Sequence, residues 1–251
     1  SYQLNIHRAL TPVKIDGSVD DDAWQHADSA CNFYMVLPMD TSFAKVKTEV
    51  RMCYDDQNFY LIAICSKIQP GRYFVESLRR DFVFGKNDNF LVFIDPFNDL
   101  TNGFSFGANA AGAQWDGTMY EGGKVDLNWD NKWTSHVKNY ADKWVFEMAI
   151  PFSSIRYKNG VNKWGINFSR NDLRTSEKSS WAPMPRQFPT ASLAYTGNIV
   201  WDEPPPPSAA NISIIPYFLG GISKNQQNKQ DAKFTRAVGI DAQIAINSSL
   251  N

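Results

Sequence analysis

The sequence predicts an all-β fold: an antiparallel β-sandwich of the immunoglobulin-like or jelly-roll type, then a proline linker and a β-hairpin tail. Short runs of β-branched and aromatic residues recur between Gly, Asn and Asp turns, as in "NFYLIAIC", "NFLVFID", "KWVFEMAIPF" and "WGINFSR". Helical periodicity is nearly absent. Aromatic residues make up 14% of the 251-residue chain, with 8 Trp and 17 Phe, a composition that suits pleated, half-buried surfaces.

The one helix candidate is "DDDAWQHADSA". Its Asp20–Asp22 run can cap an N-terminus and meet the helix dipole, with Trp24 tucked against the core. Next, "VKTEVRMCYDDQNFYLIAIC" reads as a hairpin. Pairing Tyr54 with Phe59 across "DDQN" puts Cys65 on the face of Phe59, Leu61 and Ala63, and Cys53 on the opposite one. Those two thiols are therefore not placed to bond each other. Three cysteines without a CxxC pair leave the redox compartment open.

Phe90 to Ile94 is apolar on both faces and belongs in the middle of a sheet. "DPFNDLTN" follows as a turn, and "GFSFGANAAG" as the returning strand, its glycines suited to a closely approached backbone. "WTSHVKNY" and "KWVFEMAIPF" continue the pattern. Glu147, alternating with Phe146 and Met148, reads as an exposed or salt-bridged structural carboxylate.

Four prolines in "WDEPPPP" cannot join a ladder and favour a stiff linker, so the domain reading is 1–201 sandwich, 202–210 linker and 211–251 tail. In "VGIDAQIAIN" the apolar Val238, Ile240, Ala242, Ile244 and Ile246 alternate with Gly and polar residues. A strand between lipid and a polar lumen shows that alternation, as does an ordinary half-buried strand. With "NISIIPYFLGG", joined through "KNQQNKQDAK", it makes a hairpin. A lone hairpin is not stable in water, so the tail is expected to begin a larger structure.

Formal charge is −1 and the basic residues are scattered, which argues against a nucleic-acid surface. The three histidines, His7, His26 and His136, form no zinc pattern, and no nucleophile elbow or phosphate cradle is present. Nothing in the sequence pairs two carboxylates as glycoside hydrolysis needs, so catalysis is not expected. Asp95, Asn98, Asp99 and Asn102 offer hard oxygen donors to a Ca²⁺ ion; the alternative is an Asx turn closing the hairpin. Trp115, Trp129, Trp181 and Tyr120 fall in polar, loop-like surroundings. They are the candidates for stacking on sugar rings, with packed loop anchors as the alternative.

The blocks "VKIDGSVDDDAW", "VRMCYDDQNFYLIAIC", "DNFLVFIDPFND", "KWVFEMAIPFSSI" and "KWGINFSRND" together resemble family 9 carbohydrate-binding modules, the β-sandwiches attached to xylanases. Within that family, "NGFSFGANAAGAQWDG" and "VGIDAQIAIN" are similar to a subgroup whose sandwich precedes an outer-membrane β-barrel in Gram-negative bacteria. The resemblance implies a non-catalytic module that binds a polysaccharide or oligosaccharide, with Ca²⁺ in some members. It also implies a place in the cell envelope, outer-membrane-associated, periplasmic or surface-exposed, with the chain's own C-terminal barrel as partner. Any xylanase activity would belong to partner domains. Sugar-binding members clamp a terminal sugar between two tryptophans, one just before the strand ending in "FID". Here that place holds Phe82 and Phe84, and "MPRQFPTASLAYTGNI" holds no counterpart to the second.

Overall fold

Period-2 alternation puts successive side chains on opposite faces, so strands of this pattern bury one face most cheaply against a second sheet. The computed structural model, which describes residues 2–207, 212–223 and 233–244, shows that solution. In chain order the elements are β1 (Gln3–Arg8), α1 (Asp22–Gln25), β2 (Ser29–Ala30), β3 (Tyr34–Leu37), β4 (Thr48–Tyr54) and β5 (Asn58–Ser66). There follow β6 (Asn89–Asp95), β7 (Gly103–Asn109), β8 (Gln114–Tyr120), β9 (Lys124–Asp126), β10 (Thr134–Asn139) and β11 (Lys143–Pro151). The first unit closes with β12 (Lys163–Asp172), β13 (Glu177–Ser180) and β14 (Gly197–Trp201).

One layer runs β10-β11-β5-β4, with β2 on β4. The other runs β14-β12-β6-β7-β8-β9, with β13 on β12 and β3 on β13. β1 belongs to both. Gln3–Ile6 pair with β14 and His7–Arg8 with β4, in each case in parallel. These parallel pairings are the departure from an all-antiparallel sandwich. They arise because β1 meets strands far along the chain, where no tight hairpin dictates direction.

Between the layers lie Phe59, Leu61, Ala63 and Cys65 from β5, Phe146 and Met148 from β11, Phe90, Val92 and Ile94 from β6, and Ile166 and Phe168 from β12. Trp164 and Trp201 meet edge-on at 4.8 Å at one end of this core. At the other end Arg170, only 2% exposed, donates to the Lys47 and Ser66 carbonyls and pairs with Asp172. β6 is central, between β12 and β7, and Tyr54 pairs with Phe59, as the pattern predicts. Cys65 lies in the inter-layer core, while Cys53 lies under Trp24 on the outer face of the first layer; both are free thiols.

Two expectations need correction. The helix is a single turn, Asp22–Gln25, and it lacks the expected side-chain cap: the Asp21 carboxylate accepts the Lys14 amide and no helical N–H. Trp24 is nonetheless buried, and its indole N–H donates to Glu147 at 2.8 Å. Glu147 is neither exposed nor salt-bridged: it is fully buried, and its other oxygen accepts the Asp16 and Gly17 amides. One carboxylate thus fastens the N-terminal "DGSVDDDAW" segment onto the sheet.

A second unit comprises 209–251, in which β15 (Ile212–Ser223) and β16 (Lys233–Ile244) pair antiparallel from Ile212↔Ile244 to Ser223↔Lys233. The connection between them, and Ile246 of the alternating run, lie outside the described residues.

Candidate functional site

Strand register sorts the candidate residues. β12 presents Ile166, Phe168 and Arg170 to the core, so Asn167, Ser169 and Asn171 face outward. Directly opposed residues share a face. One outward row therefore runs Tyr34–Ser180–Ser169–Leu91–Gly107–Trp115, and a second Leu37–Lys178–Asn171–Asn89–Asn109. The floor of this face is polar at its β3–β13–β12 end and apolar towards β8.

Trp115 ends the first row, but it is only 7% exposed and packs with Leu91, Phe93 and Met119 beneath Phe82 and Leu193. Trp181 and Trp129 lie on the other side of the sheet. Trp181 is 4% exposed against Phe168 and Tyr2, and Trp129 packs on Phe104 and Phe106. Tyr120 is exposed at the end of β8, with the Lys124 ammonium 5.9 Å from its ring. The structure does not bring these four aromatics together. The polar neighbours of Trp115 and Trp181 lie in strands and are themselves largely buried, as Asp116, Ser179 and Ser180 show, so polar surroundings in sequence did not mean exposure.

The accessible aromatics stand elsewhere. Tyr34 and Phe43 meet edge-on at 5.7 Å beside the β3 edge, next to exposed Leu37 and Met39. Phe188 and Tyr195, 5.1 Å apart, come from the loop whose Tyr195 carbonyl accepts the Asn167 side-chain amide. That loop joins the β3 side through the Arg186 amide, which donates to Asp40 at 3.0 Å. Phe84, in a 3-10 turn over β6, is half-buried against Phe82, Leu91 and Phe93, and its ring lies 5.7 Å from the Lys178 ammonium. Its carbonyl accepts the Asn89 and Asn171 side-chain amides. Phe82 and Phe84 thus occupy the position at which the family resemblance sets its first stacking aromatic.

Phe43, Phe84, Lys178 and Phe188 escape a reading of sequence alone. They are scattered along the chain without a motif, and only the tertiary fold sets Phe43 on Tyr34, Lys178 beside Phe84 and Phe188 on Tyr195. The signal available was "RRDFVFGK", where the resemblance already pointed.

The "DPFNDLTN" oxygens are engaged within their own loop. Asp95 is fully buried and accepts the backbone N–H groups of Phe97, Asp99 and Leu100. Burial is the largest influence on its carboxyl and raises its pKa. Asp99 accepts the Thr101 and Asn102 amides and the Asn102 side chain; burial opposes its ionisation, but these donors outweigh it and the pKa falls. Asn98 adopts φ 55°, the left-handed conformation Asn tolerates in turns. This is a self-capped turn. Its oxygens do not fit a preformed cation cage, and among the described residues no group of three or more His, Cys, Asp or Glu side chains could hold a metal.

The first unit is thus a two-layer β-sandwich whose outer sheet face carries amide side chains with accessible aromatic rings beside it. The chain belongs to the family described as "Carbohydrate family 9 binding domain-like", whose model matches residues 15–185. Its fold is similar to a family 9 carbohydrate-binding module from Caldicellulosiruptor kristjanssonii solved with cellotriose. That match has 14% identity and a TM-score of 0.57, and covers 80% of this chain and 94% of that one. The same module with glucose gives a TM-score of 0.55, 14% identity and coverage of 79% and 96%. A candidate carbohydrate-binding protein from Bacteroides uniformis gives a TM-score of 0.63, 13% identity and coverage of 80% and 99%. No curated protein matches the chain.

Proposed function

We propose that the first unit is a non-catalytic carbohydrate-binding module that holds glycans on the outer face of its second layer, at the β3–β13–β12 end. The observation that carries this reading is the composition of that face. Accessible rings of Tyr34, Phe43, Phe84, Phe188 and Tyr195 can stack on sugar C–H faces, and the Lys178 ammonium, 5.7 Å from the Phe84 ring, can meet hydroxyls. The cello-oligosaccharide-binding relative supports the ligand class. Titration calorimetry over a neutral and acidic oligosaccharide panel tests it. Binding in the millimolar-to-micromolar range, weakened several-fold by Phe188→Ala and Phe84→Ala, is expected. A broad glycan screen without a hit would sink the idea.

A second reading concerns the tail and a cell-envelope location. β15 and β16 are 12 residues each, near the length that spans a bilayer as a tilted strand, and Phe218, Leu219 and Val238 are exposed. On this reading the hairpin belongs to an outer-membrane β-barrel, and the module presents polysaccharide at the envelope. Co-sedimentation with lipid vesicles by the full chain, but not by a chain ending at Ser208, is the expected result. Equal behaviour of the two chains would count against it.

A further inference from the structure

The charged groups of the first unit are almost all answered where they are buried. Glu147 holds three N–H donors, Glu177 accepts the Lys45 and Val46 amides, Arg170 meets Asp172, and Asp116 meets Arg80. Lys178 is different. It is half-buried on the outer face, in the row between Leu37 and Asn171, and its ammonium has the Phe84 ring, 5.7 Å away, as its one described neighbour of opposite polarity.

The charged groups around it are already committed or turned away. Glu177, its sequence neighbour, points to the other side of the sheet and binds backbone amides there. Asp172 is taken by Arg170 and Thr175, and Asp88 by the Phe74 and Leu173 amides. Glu76 pairs with Lys86 near the Phe84 turn. Asp40, across the face, accepts the Arg186 amide, and the Arg186 charge adds to the positive side of the balance. Burial lowers the Lys178 pKa, and no nearby carboxylate raises it. An ammonium has three donors and a strong hydration demand, and an aromatic ring replaces only part of that water.

We infer that this face selects acidic sugars, with the carboxylate of a uronic acid residue seated on the Lys178 ammonium and the sugar ring stacked on the neighbouring aromatics. The inference rests on the carbohydrate-binding reading and narrows its ligand class. Charge-assisted hydrogen bonds between an ammonium and a carboxylate are roughly twice as strong as neutral ones, and a partly desolvated pair is screened less than a surface pair. A neutral sugar would leave Lys178 as it stands, without a counter-charge.

The test is titration calorimetry of the full chain against oligogalacturonates, glucuronate-bearing xylo-oligosaccharides and their methyl-esterified, uncharged forms, with cello-oligosaccharides alongside. At least one free acid is expected to bind about tenfold more tightly than its ester, equivalent to about 1.4 kcal/mol. Lys178→Met keeps the apolar stem over Phe84 and should erase that difference, while Lys178→Arg should keep most of it. Added salt should weaken the acid and leave the ester nearly unchanged. Neutral sugars bound as well as acids, or Lys178→Met binding the acid like the wild type, would overturn the inference and leave carbohydrate binding standing. Failure of every sugar in the panel would overturn both.

Discussion

Glu147 shows how much a single side chain can organise. Its two oxygens accept three N–H groups, from Asp16, Gly17 and the Trp24 indole, all from a segment more than a hundred residues away in sequence. Glutamine at this position offers one acceptor oxygen and turns an N–H₂ group towards a donor. Glu147→Gln is therefore expected to cost about 1–3 kcal/mol, read as a lower midpoint in chemical denaturation. A midpoint unchanged from wild type would show that these bonds are replaceable by water. The thiols make a second residue-scale case. Burial pushes both the Cys53 and Cys65 thiols up to about 12, whereas Cys31 is partly exposed. Since the thiolate is the reactive form, a thiol reagent should label one cysteine in the folded chain and all three after denaturation. Rapid labelling of more than one in the folded state would contradict the described packing. Trp181 and Trp115 belong to the same scale: replacing either by Ala should cost about 3–5 kcal/mol through the cavity left behind. That loss of stability is expected whatever happens to sugar binding, so the two readouts have to be measured separately.

The β6–β7 hairpin shows which elements can be read from sequence and why. Its first strand is apolar on both faces, its second alternates Phe and Ala with Gly, Ser and Asn, and its turn is rich in Asp and Asn. These features follow from local chemistry, so pattern alone finds them. Its glycines are legible too: a Cβ on Gly107 would lie 2.3 Å from the Phe90 carbonyl oxygen, and one on Gly103 2.2 Å from that of Ile94. Gly107→Ala forces backbone apart in a central strand and is expected to cost about 1–3 kcal/mol or more, or to abolish soluble expression. The helix is less legible. "DDDAWQHADSA" has the composition of a capped helix, but Asp21 binds the Lys14 amide just upstream and Trp24 is claimed by Glu147, 123 residues away, which no helical pattern reveals. The site is least legible of all. The rings of Trp115 and Trp181 look exposed in sequence because their neighbours are polar, yet Trp115 packs with Leu91, Phe93 and Met119 and Trp181 with Phe168 and Tyr2, both in core clusters. Phe84 and Lys178, and likewise Phe188 and Tyr195, come together only in the folded chain. For the turn itself, EDTA is expected to leave the melting temperature unchanged, because Asp95 and Asp99 already hold the loop's own amides, while Asp95→Ala should lower it. A fall with EDTA would show that a cation shares those oxygens.

At the scale of the whole molecule, β1 closes the sandwich and the prolines end it. β1 changes layers between Ile6 and His7, so the chain's first strand ties both sheets together. Directly beside it, Trp201 packs on Phe59, Trp164 and Tyr54, and Asp202 accepts the Tyr54 hydroxyl and the Arg8 amide. The Tyr157 hydroxyl then donates to the Pro206 carbonyl at 2.6 Å, so the proline segment is itself held by the first unit. The compact first unit accordingly runs from Ser1 to Ser208, and the core residues described above all belong to it. A chain ending at Ser208 is therefore expected to fold and to melt at the same temperature as the sandwich in the full chain. A chain ending at Gly197 loses Trp201 and the β14 pairing and should not fold. Calorimetry of the three chains decides the matter. A marked loss of stability in the chain ending at Ser208 would mean that the hairpin unit supports the sandwich, and the two could no longer be treated as separate units.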